Sequence, residues 1–134
     1  MPKQIITSSS TPTTGFTDKS TPSPLAQGIQ WGKMLFLSGQ GALDAEPREI
    51  VSKDIQEQTV QTLKNIEGVL MEAGATFANV VNMRICLRDP SDFPKFNEAF
   101  TEYMKGEKVT RTCIGGTPHR TGVNVEIDCI AMFD

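Results

Sequence analysis

Two charged residues sit where charge is costly. Arg111 lies in the run Val109-Thr110-Arg111-Thr112-Cys113-Ile114, and Glu126 lies in Val123-Asn124-Val125-Glu126-Ile127-Asp128-Cys129. Both runs are apolar enough to read as strands, and an unpaired charge is expensive to bury there. A guanidinium on a rigid strand presents a planar fork that suits a carboxylate or phosphate, which points to small anionic substrates. The same spacing admits another reading, in which Arg111 pairs with Glu126 or Asp128 across neighbouring strands and closes an interface. Cys113 is two residues from Arg111 and shares its strand face, where a cation would make a thiol more acidic and more reactive. Nucleophilic use of that thiol would need a base. His119, the chain's one histidine, lies six residues on in a loop, a spacing that matches no Cys-His arrangement, so an exposed loop histidine is the plainer reading.

These residues need a scaffold, and the sequence outlines one. Residues 1–24 read as an N-terminal arm, because residues 7–24 are rich in Ser, Thr and Pro and bury little. Residues 25–134 read as one domain. Short apolar runs at Ile29, Trp31 and residues 34–37, bounded by Gly32 and Gly39, predict a hairpin; residues 38–41 predict a Gly-rich turn, and residues 44–49 a surface connection. A helix is predicted over residues 54–73 from Ile55, Thr59, Leu63, Ile66, Val69, Leu70 and Ala73. Asp54 and Glu57 suit a capping box and Gly74 suits the left-handed exit, while Gly68 within it hints at close packing. Alternation of Val81, Met83, Ile85 and Leu87 predicts a strand, and Phe93, Phe96, Phe100 and Tyr103 form the core stripe of a second helix with Pro94 in its first turn. Strands over residues 109–114 and 123–133, joined by the loop 115–122, complete the order β-β-α-β-α-β-β. The fold class is α+β, a mixed sheet with two helices on one face, and the bare face calls for a partner.

Composition narrows the functions. A chain of 134 residues with 38% hydrophobic and 22% charged residues suits one globular domain. Its 13 Lys and Arg against 16 Asp and Glu give a formal net charge of -3, so nonspecific nucleic-acid binding has no excess positive field to work with. No apolar run approaches the ~20 residues of a membrane span, and no signal-peptide pattern opens the chain. Cys86, Cys113 and Cys129 are odd in number and far apart, which argues against a disulfide framework and for the cytoplasm. One histidine and no Cys-x-x-Cys leave a protein-built metal site without its usual ligands.

The order of elements is joined by a set of local runs: Leu35-Phe36-Leu37-Ser38-Gly39-Gln40, Gln58-Thr59, Leu63-Lys64-Asn65-Ile66, Phe96-Asn97-Glu98-Ala99-Phe100, Thr110-Arg111-Thr112-Cys113 and Val125-Glu126-Ile127-Asp128-Cys129-Ile130-Ala131. Together, from about Pro24 to Phe133, they resemble the Rid family, the YjgF-type reactive-intermediate deaminases also described as L-PSP endoribonuclease-like. The resemblance implies a chorismate-mutase-like (bacillary) subunit, a homotrimer with clefts between subunits, and a reaction without cofactor or metal. Enamines and imines bearing a carboxylate would be hydrolysed to 2-oxo acid and ammonia. It implies that Arg111 binds the substrate carboxylate and that Glu126 positions or activates water, with Ser38, Asn97 and Cys113 lining the pocket. The family's Gly-Pro-Tyr-Ser-Gln run appears here as Ser23-Pro24-Leu25-Ala26-Gln27. Leu25 cannot donate a hydrogen bond, so a larger or less polar substrate, such as an aminomuconate-like compound, is expected. His119 and Arg120 in the loop could reach a second anionic group. The competing expectation is a trimeric small-carboxylate-binding or chaperone-like protein without turnover.

Overall fold

The computed structural model describes residues 3–11, 24–45 and 49–134. Its strands are β1 (Gln4–Ile6), β2 (Gly28–Trp31), β3 (Met34–Gln40), β4 (Val80–Leu87), β5 (Thr110–Gly115) and β6 (Val125–Met132), and its α-helices are α1 (Ile55–Glu72) and α2 (Phe93–Met104). The strands form one sheet in the order β1-β2-β3-β6-β4-β5. Only β4 and β5 run parallel, since the chain between them crosses over through α2; the other pairs are antiparallel.

Period-two patterning builds the sheet. Val125, Ile127, Cys129 and Ala131 of the central β6 are buried under the helices, while Glu126, Asp128, Ile130 and Met132 face the other way. From the helix layer, Leu63, Ile66, Val69 and Leu70 of α1 and Phe96, Phe100 and Met104 of α2 fill the same core. Each such large side chain contributes about 1.5–3 kcal/mol by leaving water. The ends of α1 match the sequence pattern: the Asp54 side chain accepts from the Glu57 N–H at 2.8 Å, and Gly74 takes φ +81° just past the helix. Gly68 has a visible reason. A Cβ there would collide with the Thr11 hydroxyl, so the start of the chain lies directly on α1.

Three expectations change. The order β-β-α-β-α-β-β gains a strand at its start, because Gln4–Ile6 pairs antiparallel with β2. Gln27 fastens the chain just past β1, accepting from the Ser8 N–H at 2.6 Å and donating to the Thr11 carbonyl at 2.6 Å. Residues 12–23 of the expected arm and 46–48 of the surface connection lie outside the described residues. The predicted Gly-rich turn is instead the end of β3, whose register shifts between Leu37 and Gln40 opposite β6. A bulge keeps the strand going where a glycine pair looked like a stop. In β4 a second register shift, between Val80 and Asn82, buries Val80 and exposes Val81.

Both helices cover one face of the sheet. On the other, Trp31, Met34, Phe36 and Met132 form a contiguous exposed apolar band across β2, β3 and β6.

Candidate active site

β5 is an edge strand, and Arg111 registers against Met83 of β4. It shares Met83's face and turns toward α2. There its guanidinium carbon stands 4.9 Å from the Phe100 ring centroid, 5.6 Å from Phe93 and 5.8 Å from Phe96, and its Nη1 donates to Asn97 Oδ1 at 2.8 Å. Residues 93, 96, 97 and 100 recur at helical spacing, so one stripe of α2 supplies three aromatic faces and a carbonyl to one cation. The aromatic stripe read as core is therefore both core and cradle. Cys113 lies beyond Arg111 on the same face, half-buried against the core. Burial pushes its thiol above the ordinary value and outweighs the neighbouring guanidinium, so the expected activation of this thiol does not occur.

Glu126 belongs to the other face. It registers against Cys86, three residues from Met83 along the same strand, and an odd spacing reverses the side. Arg111 and Glu126 of one chain therefore cannot pair through the sheet. Asp128 takes Arg84 instead, at 2.9 Å in an exposed ion pair. The Glu126 carboxylate lies against the bare backbone of the β3 bulge: a Cβ on Gly39 would stand 2.5 Å from Oε1 and 3.1 Å from Cδ, so a side chain there would push the carboxylate aside. Burial pushes the carboxyl of Glu126 above its ordinary value, Asp128 on the same face adds to the rise, and the His119 charge opposes it. A depression of about 300 Å³ opens here, lined by Arg84, Cys86, Thr112, Ile114, Glu126 and Asp128.

Ser38 stands beside Gly39 in the bulge. Its hydroxyl donates to the Ala26 carbonyl at 2.5 Å and its N–H to the Gln27 carbonyl at 2.9 Å, so it fixes the segment that presents the exposed Leu25. The expected site residues thus fall into two groups. Arg111, Asn97 and Cys113 gather at the α2–β5 edge, and Glu126, Ser38 and Leu25 at the bulged end of β3 and β6, while His119 is exposed in the loop between β5 and β6. A larger groove of about 790 Å³ lies between α1 and α2, but its charged lining of Asp54, Glu57, Lys64, Glu98, Glu102 and Lys105 offers no fixed fork for a carboxylate. No cluster of three His, Cys, Asp or Glu side chains among the described residues is arranged to ligate a metal. No helix among them is long and apolar enough to cross a membrane.

The chain belongs to the endoribonuclease L-PSP family, the YjgF/Rid family, whose model matches residues 18–133. It is 37% identical over 118 residues to a RutC family protein of Pyrococcus abyssi, covering 87% of this chain and 93% of that one. It is 33% identical over 109 residues to the mouse 2-iminobutanoate/2-iminopropanoate deaminase, covering 81% of each. Among solved structures, Escherichia coli TdcF with bound serine superposes with a TM-score of 0.86 at 26% identity, over 98% of this chain and 99% of that one. The α+β fold with a mixed sheet and two helices is that of the family.

Proposed function

We propose that this protein is a cofactor-free hydrolytic deaminase that converts 2-imino acids and their enamine tautomers to 2-oxo acids and ammonia, working as a homotrimer in the cytoplasm. The observation that carries the reading is the seating of Arg111. Three rings and Asn97 hold the guanidinium in place before any ligand arrives, as recognition of a carboxylate requires. The names of the mouse deaminase and of the serine-bound TdcF support the same substrate class.

Arg111 clamps the carboxylate and orients the imine carbon. On the N-protonated imine, Glu126 takes a proton from the attacking water as the C–O bond forms and the C=N pair moves onto nitrogen; it then returns that proton to the amine nitrogen, and takes up the hydroxyl proton as the C–N bond breaks, the C=O forms and ammonia leaves. A raised affinity for protons suits a group that must both accept and return one. Because the two residues face opposite sides of one sheet, a cleft holding both is completed by a second copy. The apolar band of Trp31, Met34, Phe36 and Met132 supports a trimer that covers the open face. Three free thiols on three separate strands support a reducing compartment. Leu25, exposed at the Ser38 end, supports a substrate larger or less polar than 2-iminopropanoate, of the aminomuconate-like kind.

The test is ammonia release from imino acids made in situ by an amino-acid oxidase, with semicarbazide competing for the imine. Acceleration by the wild type that is lost in Arg111→Ala supports the reading; hydrolysis at the uncatalysed rate across small and large imino acids overturns it.

A further inference from the structure

On the sheet face away from the helices, strand register sets six side chains in a grid of two rows. Glu126 of β6, Cys86 of β4 and Ile114 of β5 make one row, and Asp128, Arg84 and Thr112 make the next. All six line the same depression of about 300 Å³. Successive residues on one strand face are about 7 Å apart, so Glu126 and Asp128 are neighbouring carboxylates in one hollow. The grid's one cation is fixed. Arg84 Nε donates to Asp128 Oδ1 at 2.9 Å, directly across the β4–β6 ladder. Two carboxylates in one hollow oppose each other's ionisation, and a cation held on one of them decides how strongly.

We propose that Asp128 and Arg84 are positioning residues of this site: Asp128 is a second charge beside Glu126, and Arg84, bound to it, sets how much of that charge Glu126 meets. The role in turnover rests on the deaminase reading; the coupling among the three side chains does not.

The other groups around Glu126 leave this pair in control. Burial pushes the Cys86 thiol above its ordinary value and Glu126 adds to the rise, so the thiol stays neutral where a carboxylate titrates. Arg88, next on that side of the chain past β4, is turned onto the main-chain carbonyls of Val123, Pro118 and Arg120. From β5 come only Thr112 and Ile114, and from β3 the bare Gly39. His119, exposed in the loop, works against the rise at Glu126 that burial and Asp128 produce. Under the proposed function a second copy adds its Arg111 to the cleft. That cation is common to all the variants below, so differences between them report the pair. The Arg84 side chain is 72% exposed, so its replacement leaves the core untouched.

Two measurements test this. In the pH profile of kcat/KM, Asp128→Asn should move the acid limb to lower pH by about half a unit, because a like charge about 7 Å away is removed. Arg84→Gln leaves the Asp128 charge uncompensated and should move the limb to higher pH, while Arg84→Lys keeps the cation and should restore it. In the double variant both charges are gone, and the limb should fall between those of the two single variants. Independently of activity, the Glu126 carboxyl carbon resonance, identified by its loss in Glu126→Gln, should titrate lower in Asp128→Asn and higher in Arg84→Gln than in wild type. The same Glu126 titration in all three chains, or a displacement of both variants in one direction, overturns the proposal. A shift in Asp128→Asn without one in Arg84→Gln overturns the part assigned to Arg84. Should the wild type hydrolyse no imine, the deaminase reading fails while the NMR arm still decides the coupling.

Discussion

Arg111 and Glu126 register against the same strand three residues apart, at Met83 and Cys86, and so face opposite sides of one sheet. The displacement along the strand alone is about 10 Å. Under the proposed function, a substrate would be held by the arginine of one copy and hydrolysed at the glutamate of another.

Inactive variants should therefore complement each other. When Arg111→Ala and Glu126→Gln chains are refolded together in equal amounts, random mixing gives about one quarter of the clefts an intact arginine and an intact glutamate from different copies. Ammonia release by the mixture should reach about that fraction of wild type, while each variant alone stays near background. No recovery from subunits shown by native mass spectrometry to have mixed would place both groups of one chain in one cleft.

The fork and the stacking of Arg111 should matter more than its charge. Arg111→Lys retains the cation but loses planar, two-point recognition and the contacts with Phe93, Phe96 and Phe100. A charge-assisted hydrogen bond contributes about 1.5–3 kcal/mol, so KM should rise roughly ten- to hundred-fold with a smaller change in kcat. Asn97→Ala, which leaves the rings in place and removes only the carbonyl at 2.8 Å, should give a lesser rise of the same kind. Steady-state kinetics on the two variants separates these outcomes.

Local sequence patterns recovered most of the scaffold. The period of α1, its Asp54 cap, the exit at Gly74 and the alternation of β6 are all properties of neighbouring residues, and periodicity reads them directly. The features that escaped were set by residues distant in the chain. Gln4–Ile6 is a strand only because β2 offers it an edge, and Ser38-Gly39 looks like a turn until the Glu126 carboxylate is laid over it. The role of the α2 aromatics was hidden because a core stripe and a cation cradle share the same helical spacing. The pairing of Arg84 with Asp128 gave no signal, since the two residues are 44 apart in the chain and meet only through the register of β4 with β6.

Gln58 should be a stability hot spot even though it touches neither half of the site. It is fully buried, donates to Ser52 O at 2.8 Å and Gly122 O at 2.9 Å, and accepts from the Asn124 N–H at 2.8 Å. Gln58→Ala removes all three partners at once, and depriving buried polar groups of hydrogen bonds costs about 1–3 kcal/mol each where water cannot replace them. A loss of about 2–4 kcal/mol in urea unfolding is expected. A loss below about 0.5 kcal/mol would show that water takes over the vacated bonds.

The Glu126 carboxyl should make the protein less stable at neutral pH, as half-buried anions do. Its proton affinity in the folded chain lies above the ordinary value of 4.5, chiefly through burial, so the folded state binds this proton more tightly than the unfolded state. The stabilising contribution of the protonated group is present in full below the unfolded pKa and is lost as pH rises through the higher folded value. Above that value wild type carries a half-buried anion beside Asp128, and Glu126→Gln carries a neutral side chain of nearly the same shape. The variant should therefore melt higher than wild type at pH 7, with the difference shrinking as pH falls and vanishing below about pH 4. Activity should move the opposite way: kcat/KM of wild type falls on acidification through the same raised pKa, and the variant is inactive throughout. A melting difference that is constant with pH would mean that the substitution acts through packing and not through the charge.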